Sequence, residues 1–120
     1  MQIEIQEVND IKIAVVIAEG IAISEVQDAV DILGNSDYMG ASRIIVKKEN
    51  IIPAFFDLKT GIAGEVLQKF SNYNKRLAIV GDFSEFTSKS LKDFIYESNK
   101  NRMINFVDTM EEAKERLSKN

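Results

Sequence analysis

Residues 53–99, PAFFDLKTGIAGEVLQKFSNYNKRLAIVGDFSEFTSKSLKDFIYESN, decide the fold. Within them Leu58, Ile62, Val66, Leu67, Phe70 and Tyr73 recur on one stripe at helical spacing, which predicts a helix over 58–73. The short apolar run RLAIV at 76–80, closed by Gly81, predicts a central strand covered on both faces. Leu91, Phe94 and Ile95 then predict a helix over 87–98. Both helices start on hydroxyl residues, Thr60-Gly61 in the first and Thr87-Ser88-Lys89-Ser90 in the second. Helix N-termini that follow neighbouring parallel strands gather their free N–H groups on one edge of a sheet, the geometry of anion sites in open α/β folds.

Outward from this stretch the same periodicities continue. Residues 2–8 alternate apolar and polar, Asn9-Asp10 supplies a two-residue turn, and 11–18 resumes with Ile11, Ile13, Val15 and Ile17 on one face, a hairpin pattern. Ser24 with Gln27 reads as a capping box, and Ile23, Val26, Val30 and Leu33 predict a helix over 24–33 that Gly34 stops. Residues 43–48, RIIVKK, predict a third strand and 103–107, MINFV, a fifth. Thr109 with Glu112 is a second capping box, opening a last helix with Ala113 and Leu117 inward. No linker, repeat or low-complexity tract interrupts the chain, so residues 1–120 are expected to form a single α/β domain in the order ββαβαβαβα. Helical crossovers make sequential strands parallel, so the expected sheet is mixed, five-stranded, with one antiparallel hairpin strand.

Composition excludes several function classes. With 45% apolar and 28% charged residues and one proline, 120 residues suffice to bury a continuous core. A net charge of −4 gives no basic field for a phosphate backbone, so nucleic acid is not an expected partner. No apolar run approaches the roughly 18 residues of a spanning helix, and Met1 leads directly into the first strand pattern, so a cytoplasmic location without membrane insertion is expected. The chain has neither cysteine nor histidine. Disulfides, thiolate chemistry, Ser-His-Asp and Cys-His hydrolysis and most transition-metal sites are thereby removed. No dense carboxylate cluster suggests magnesium, and neither a metal nor a cofactor is predicted.

Two resemblances follow from these residues. The element order resembles the STAS fold of anti-sigma-factor antagonists and of sulphate-transporter cytoplasmic domains. In that family an Asp-Ser-Ser-Gly-like motif follows the third strand, and its second hydroxyl is phosphorylated. Here Asp57-Leu58-Lys59-Thr60-Gly61 places Thr60 just before the glycine, with the spacing changed by one residue and Lys59 where the family has a small residue. The resemblance therefore implies Thr60 as a phosphorylation site. A closer resemblance rests on FFDLKTGIAGEVLQKF and KRLAIVGDFSEFTSKSLKDFIYESN, which are similar to the bacterial family called domain of unknown function 4180. It implies fold boundaries and carries no activity with it.

The candidate site is the rim formed by Asp57, Thr60, Gly61, Gly81, Asp82, Thr87, Ser88 and Lys89. Each also has a plain structural reading. Thr60-Gly61 reads equally as a capped, close-packed helix start and as a ligand or switch position. Thr87, Ser88 and Ser90 suit capping, with Lys89 as the charge an anion would use; Asp82 suits an Asx-turn to Ser84. Phe83 and Phe86 are expected to fold inward, as is at least one of Phe55 and Phe56; the acidic face Glu111, Glu112, Glu115 reads as solvated surface. Two function classes remain. The first is a non-catalytic regulatory or protein-interaction module whose rim meets a protein partner. The second is a binder of a small anionic metabolite between Thr60 and Ser88, or a weak enzyme built on Asp57, Asp82 and Lys89.

Overall fold

Asn9 and Asp10 both adopt positive φ, 53° and 67°, the backbone a two-residue type I′ turn requires. They close a hairpin between β1 (Gln2–Val8) and β2 (Ile11–Ile17), paired antiparallel from Gln2↔Ile17 to Val8↔Ile11. In the computed structural model, which describes residues 1–119, three further strands follow: β3 (Arg43–Lys47), β4 (Arg76–Val80) and β5 (Ile104–Val107). They add in sequence order, β1-β2-β3-β4-β5, and β2 through β5 run parallel. The helices are α1 (Val26–Tyr38), α2 (Ile62–Asn72), α3 (Lys89–Asn101) and α4 (Met110–Leu117). The fold is therefore the expected mixed α/β sheet with helical crossovers.

Strand alternation sends side chains to two unequal cores. On one face Ala14, Val16, Ile44, Val46, Leu77, Ile79, Ile104 and Phe106 meet Ala29, Ile32 and Leu33 of α1, Val66 and Phe70 of α2, and Leu91 of α3. On the other, Ile13, Val15, Ile45, Ala78 and Val107 meet Ala113 and Leu117 of α4. The central strands β3 and β4 are covered on both sides, which is why their sequences read as continuous apolar runs.

Helix boundaries differ from expectation in α1 and α2 above all, and α3 runs Lys89–Asn101 where 87–98 was expected. α1 does not stop at Gly34; it runs on to Tyr38, and a Cβ at Gly34 would meet nothing within 4 Å. The stop is Gly40, at φ +85°: Gly40 N donates to Asp37 O (2.9 Å) and Ala41 N to Ser36 O (2.9 Å), a Schellman ending. The box at its start uses Asp28 and not Gln27: Asp28 Oδ2 accepts from Ser24 N and Ser24 Oγ at 2.9 Å each. The helix expected over 58–73 is also divided. Leu58–Thr60 forms a 3-10 turn, Gly61 takes φ +79°, and the α-helix begins only at Ile62.

Candidate functional site

The parallel strands all leave the sheet at one end, and the segments after β3 and β4 build that C-terminal rim. Lys48–Asn50 makes a 3-10 turn, Ile51 bridges Ile23 in parallel, and Pro53–Phe56 makes a second 3-10 turn. Asn50 is buried, and its Nδ2 donates to Ala18 O (3.1 Å) and Gly20 O (2.8 Å), which fastens the connection after β2 to the one after β3. Phe55 and Phe56 are both buried. Phe56 stacks on Phe86 with centroids 5.1 Å apart and lies 6.0 Å from Phe83, which in turn meets Phe106 edge-on at 5.3 Å. The 81–88 loop is therefore anchored inward by its two phenylalanines, as its apolar content demands.

Lys48 clamps the same loop. Its Nζ donates to Asp82 O at 2.7 Å, pairs with the Glu85 carboxylate, and lies 4.8 Å from the centroid of the Phe86 ring. Gly81 allows this approach. A Cβ there would sit 2.5 Å from Lys48 Cβ, so any larger residue displaces the lysine stem or the loop. Between the clamp and the 51–56 turn lies an open groove of about 340 Å³, lined by Ile21, Ile51, Pro53, Phe56 and Phe86 with Lys48, Glu49 and Glu85 at its margins. Another groove, about 270 Å³, lies between α1 and α2 beside Tyr73 and the Lys75–Asp37 ion pair (2.6 Å).

Each predicted rim residue has a place in this architecture. Asp57 caps the 58–60 turn, its Oδ1 accepting from Lys59 N at 3.2 Å. Thr60 is exposed, yet its hydroxyl donates toward Ala54 O (2.8 Å) and Asp57 O (2.9 Å) and accepts from Ile62 N (3.3 Å). It ties the turn ahead of α2 together, and Gly61 holds the N-cap position in its stead. Asp82 makes an Asx-turn, its Oδ1 accepting from Ser84 Oγ at 2.6 Å and Ser84 N at 2.9 Å. The serine hydroxyl first, then the backbone N–H, holds the Asp82 carboxyl below the usual carboxylate range. Thr87 is exposed, and Ser88 caps α3 through Leu91 N at 3.3 Å. Lys89 pairs with Asp93 one turn on at 2.9 Å, and that hydrogen bond and charge raise its ammonium above the ordinary lysine value.

The rim thus joins the segments around Lys48–Phe56 and Gly81–Phe86. Among the described residues no hydrogen bond or ion pair links Asp57–Gly61 to Thr87–Lys89. No group of three or more acidic residues among those described is placed to hold a metal ion. Lys48, Asn50 and Glu85 were not singled out in the sequence. The one signal for Lys48 was Gly81, a glycine at a strand end where another chain segment passes close.

A profile described as "Domain of unknown function (DUF4180)" matches residues 8–117. The chain belongs to that family. It is also similar, at 15% sequence identity and a TM-score of 0.49, to the crystal structure of a putative anti-sigma factor antagonist from Thermotoga maritima, over 98% of this chain and 95% of that one. No curated protein matches. No helix among the described residues is long and apolar enough to cross a membrane.

Proposed function

We propose that this family member is a non-catalytic regulatory module that meets a protein partner through the C-terminal rim. One observation carries the reading: Thr60, Ser88, Lys48 and Lys89 are already bonded within the fold, while exposed carboxylates stand on a rim that holds an apolar groove. Lys48 is held by Asp82 O and Glu85, and Lys89 by Asp93. The Thr60 hydroxyl serves its own turn and Ser88 caps α3. Glu49, Asp57 and Glu85 remain exposed. A small anion between Thr60 and Ser88 would meet these carboxylates without a free lysine from the predicted set. A protein surface with an apolar centre and basic margins meets the same groove with complementary charge. Asp57 and Asp82 each bond the backbone of their own turn, which also argues against their use as catalytic carboxylates.

Thr60 is the switch position in this reading. A phosphate there abolishes the donated hydrogen bonds to Ala54 and Asp57 and sets nearly two negative charges against both carbonyls and the Asp57 carboxylate. The turn that seats Phe55 and Phe56 opens, and the groove loses its shape. The test is affinity capture from cell extract with wild type and with Thr60→Ala, Thr60→Glu, Glu49→Lys and the remote control Asp31→Lys, followed by calorimetry with the purified partner. Wild type, Thr60→Ala and Asp31→Lys retain one dominant partner; Thr60→Glu and Glu49→Lys weaken it by about tenfold or more. A partner indifferent to both rim changes contradicts the reading. Turnover of an anionic metabolite that Asp82→Asn or Lys89→Ala abolishes defeats it outright.

A further inference from the structure

The two edges of the sheet are finished differently. At the β5 edge, Asn99 of α3 turns its side-chain amide onto the strand: Oδ1 accepts from Phe106 N at 2.7 Å and Nδ2 donates to Phe106 O at 3.3 Å. That amide stands where a further strand would pair, so the edge is sealed by its own helix. At the other edge, among the described residues, β1 hydrogen-bonds to β2 alone. It offers seven residues of continuous register, QIEIQEV, with no proline or bulge, and no helix among the described residues pairs along its outer edge. An open edge of that length is a template for another strand.

The sequence of β1 selects its occupant. We infer that a second copy of this chain adds to this edge, antiparallel about a two-fold axis through Ile5, and extends the sheet across both copies. In a two-fold pairing normal to the sheet each residue must face its opposite on the same side, so the axis passes beside one residue. Only an axis at Ile5 pairs the whole strand: Gln2 with Val8, Ile3 with Glu7, Glu4 with Gln6, and Ile5 with itself. No like charges then stand opposite. Glu4 meets the partner's Gln6, a contact whose chemistry is already present along the strand, where Gln6 Nε2 donates to Glu4 Oε1 at 3.0 Å. An axis at Glu4 would instead oppose two carboxylates and leave Val8 unpaired. Ile3 and Ile5, half-buried on the helix-covered face, gain cover from their counterparts.

The register gives a test with a sign. Gln6→Glu places a carboxylate opposite the partner's Glu4 twice per dimer, and Gln6→Lys places an ammonium there twice. Sedimentation velocity of the full chain shows a monomer–dimer equilibrium that Gln6→Glu weakens and Gln6→Lys strengthens, each by about 2- to 30-fold for two cross-strand pairs. Circular dichroism confirms that both variants keep the fold. Since the chain has no cysteine, Ile5→Cys under mild oxidation gives one disulfide-linked dimer, because directly opposed antiparallel positions lie within disulfide reach. A monomer at all concentrations up to about 1 mM overturns the proposal. So does a dimer that both Gln6 variants leave unchanged. Neither result bears on the rim, which lies at the strand ends and not along β1.

Discussion

The two ends of the parallel strands use their polar residues in opposite ways. At the N-terminal end, long cations reach inward to backbone: Arg76 donates to Arg102 O (3.0 Å), Arg116 O (2.9 Å) and Lys119 O (2.6 Å), and Arg43 Nε to Leu117 O (2.9 Å). Two of those carbonyls, Arg116 and Leu117, belong to the last turn of α4, and Lys119 lies just past it, where unsatisfied oxygens and the negative end of the helix dipole both favour a cation. Arg116 extends the network to Asn105 Oδ1 at 2.9 Å and Asn99 O at 2.6 Å. At the C-terminal end the inward anchors are aromatic, and the acids face out. One end is therefore a polar lock that serves the fold, and the other is an apolar floor with a charged border. The difference separates stability from recognition: substitutions at the arginine end change the fold's free energy, whereas charge changes at the aromatic end change what the surface can meet.

The largest expected effect is on the aromatic floor. Phe56→Ala removes a ring that contacts Phe55, Phe83 and Phe86, and costs about 3–5 kcal/mol in chemical denaturation. It also opens the 81–88 loop, which hydrogen exchange reads directly. At the other end Arg76→Met keeps the aliphatic stem while removing donors from three carbonyls; a loss of about 2 kcal/mol is expected, with fraying at the C-terminal ends of α3 and α4. A loss of protection at the C-terminal rim instead would break the separation of the two ends. Gly61→Ala follows, at about 1–2 kcal/mol, because its left-handed backbone at φ +79° carries the start of α2.

The smallest effect is a response to acid that belongs to the C-terminal end alone. The Ser24 backbone N–H, ahead of its hydroxyl and the Glu25 N–H, holds Asp28 below the ordinary carboxylate range, and Ser84 does the same for Asp82. A carboxyl lowered by folding stabilises the native state at pH above the ordinary range. That contribution disappears as pH falls through the lowered value, because the unfolded chain takes up the proton first. Amide exchange at the start of α1 and in the 82–84 turn therefore rises on acidification, and Asp28→Asn removes the α1 part. The arginines keep their charge throughout, so the α4 contacts do not follow.

Strand positions were legible because alternation and short apolar runs report burial within the segment itself. Helix ends were less so. Gly34 reads as a stop from composition, yet the Schellman bonds that end α1 depend on the positive φ of Gly40, six residues on. Thr60-Gly61 reads as a capping hydroxyl followed by a small residue; in the fold the glycine takes the cap position, and the hydroxyl bonds back to Ala54. The Asx-turn at Asp82 and the Ser88 cap were legible because each involves residues two or three apart. The Lys48 clamp was not, since its acceptors lie 34 and 37 residues away and local periodicity carries no trace of them.

In the C-terminal rim the Thr60 and Ser88 hydroxyls and the Lys48 and Lys89 ammonium groups are engaged within the fold, which suits a surface for a protein and not a cradle for a small anion. Titration of the 15N-labelled protein with inorganic phosphate tests it most directly. The amides of Ile62–Glu65 and Leu91 are expected to keep their shifts up to about 10 mM phosphate, because the Thr60 and Ser88 hydroxyls serve their own turns and Lys89 is paired with Asp93. Saturable shifts confined to those amides, lost in Lys89→Ala, would contradict it and return the rim to small-molecule binding.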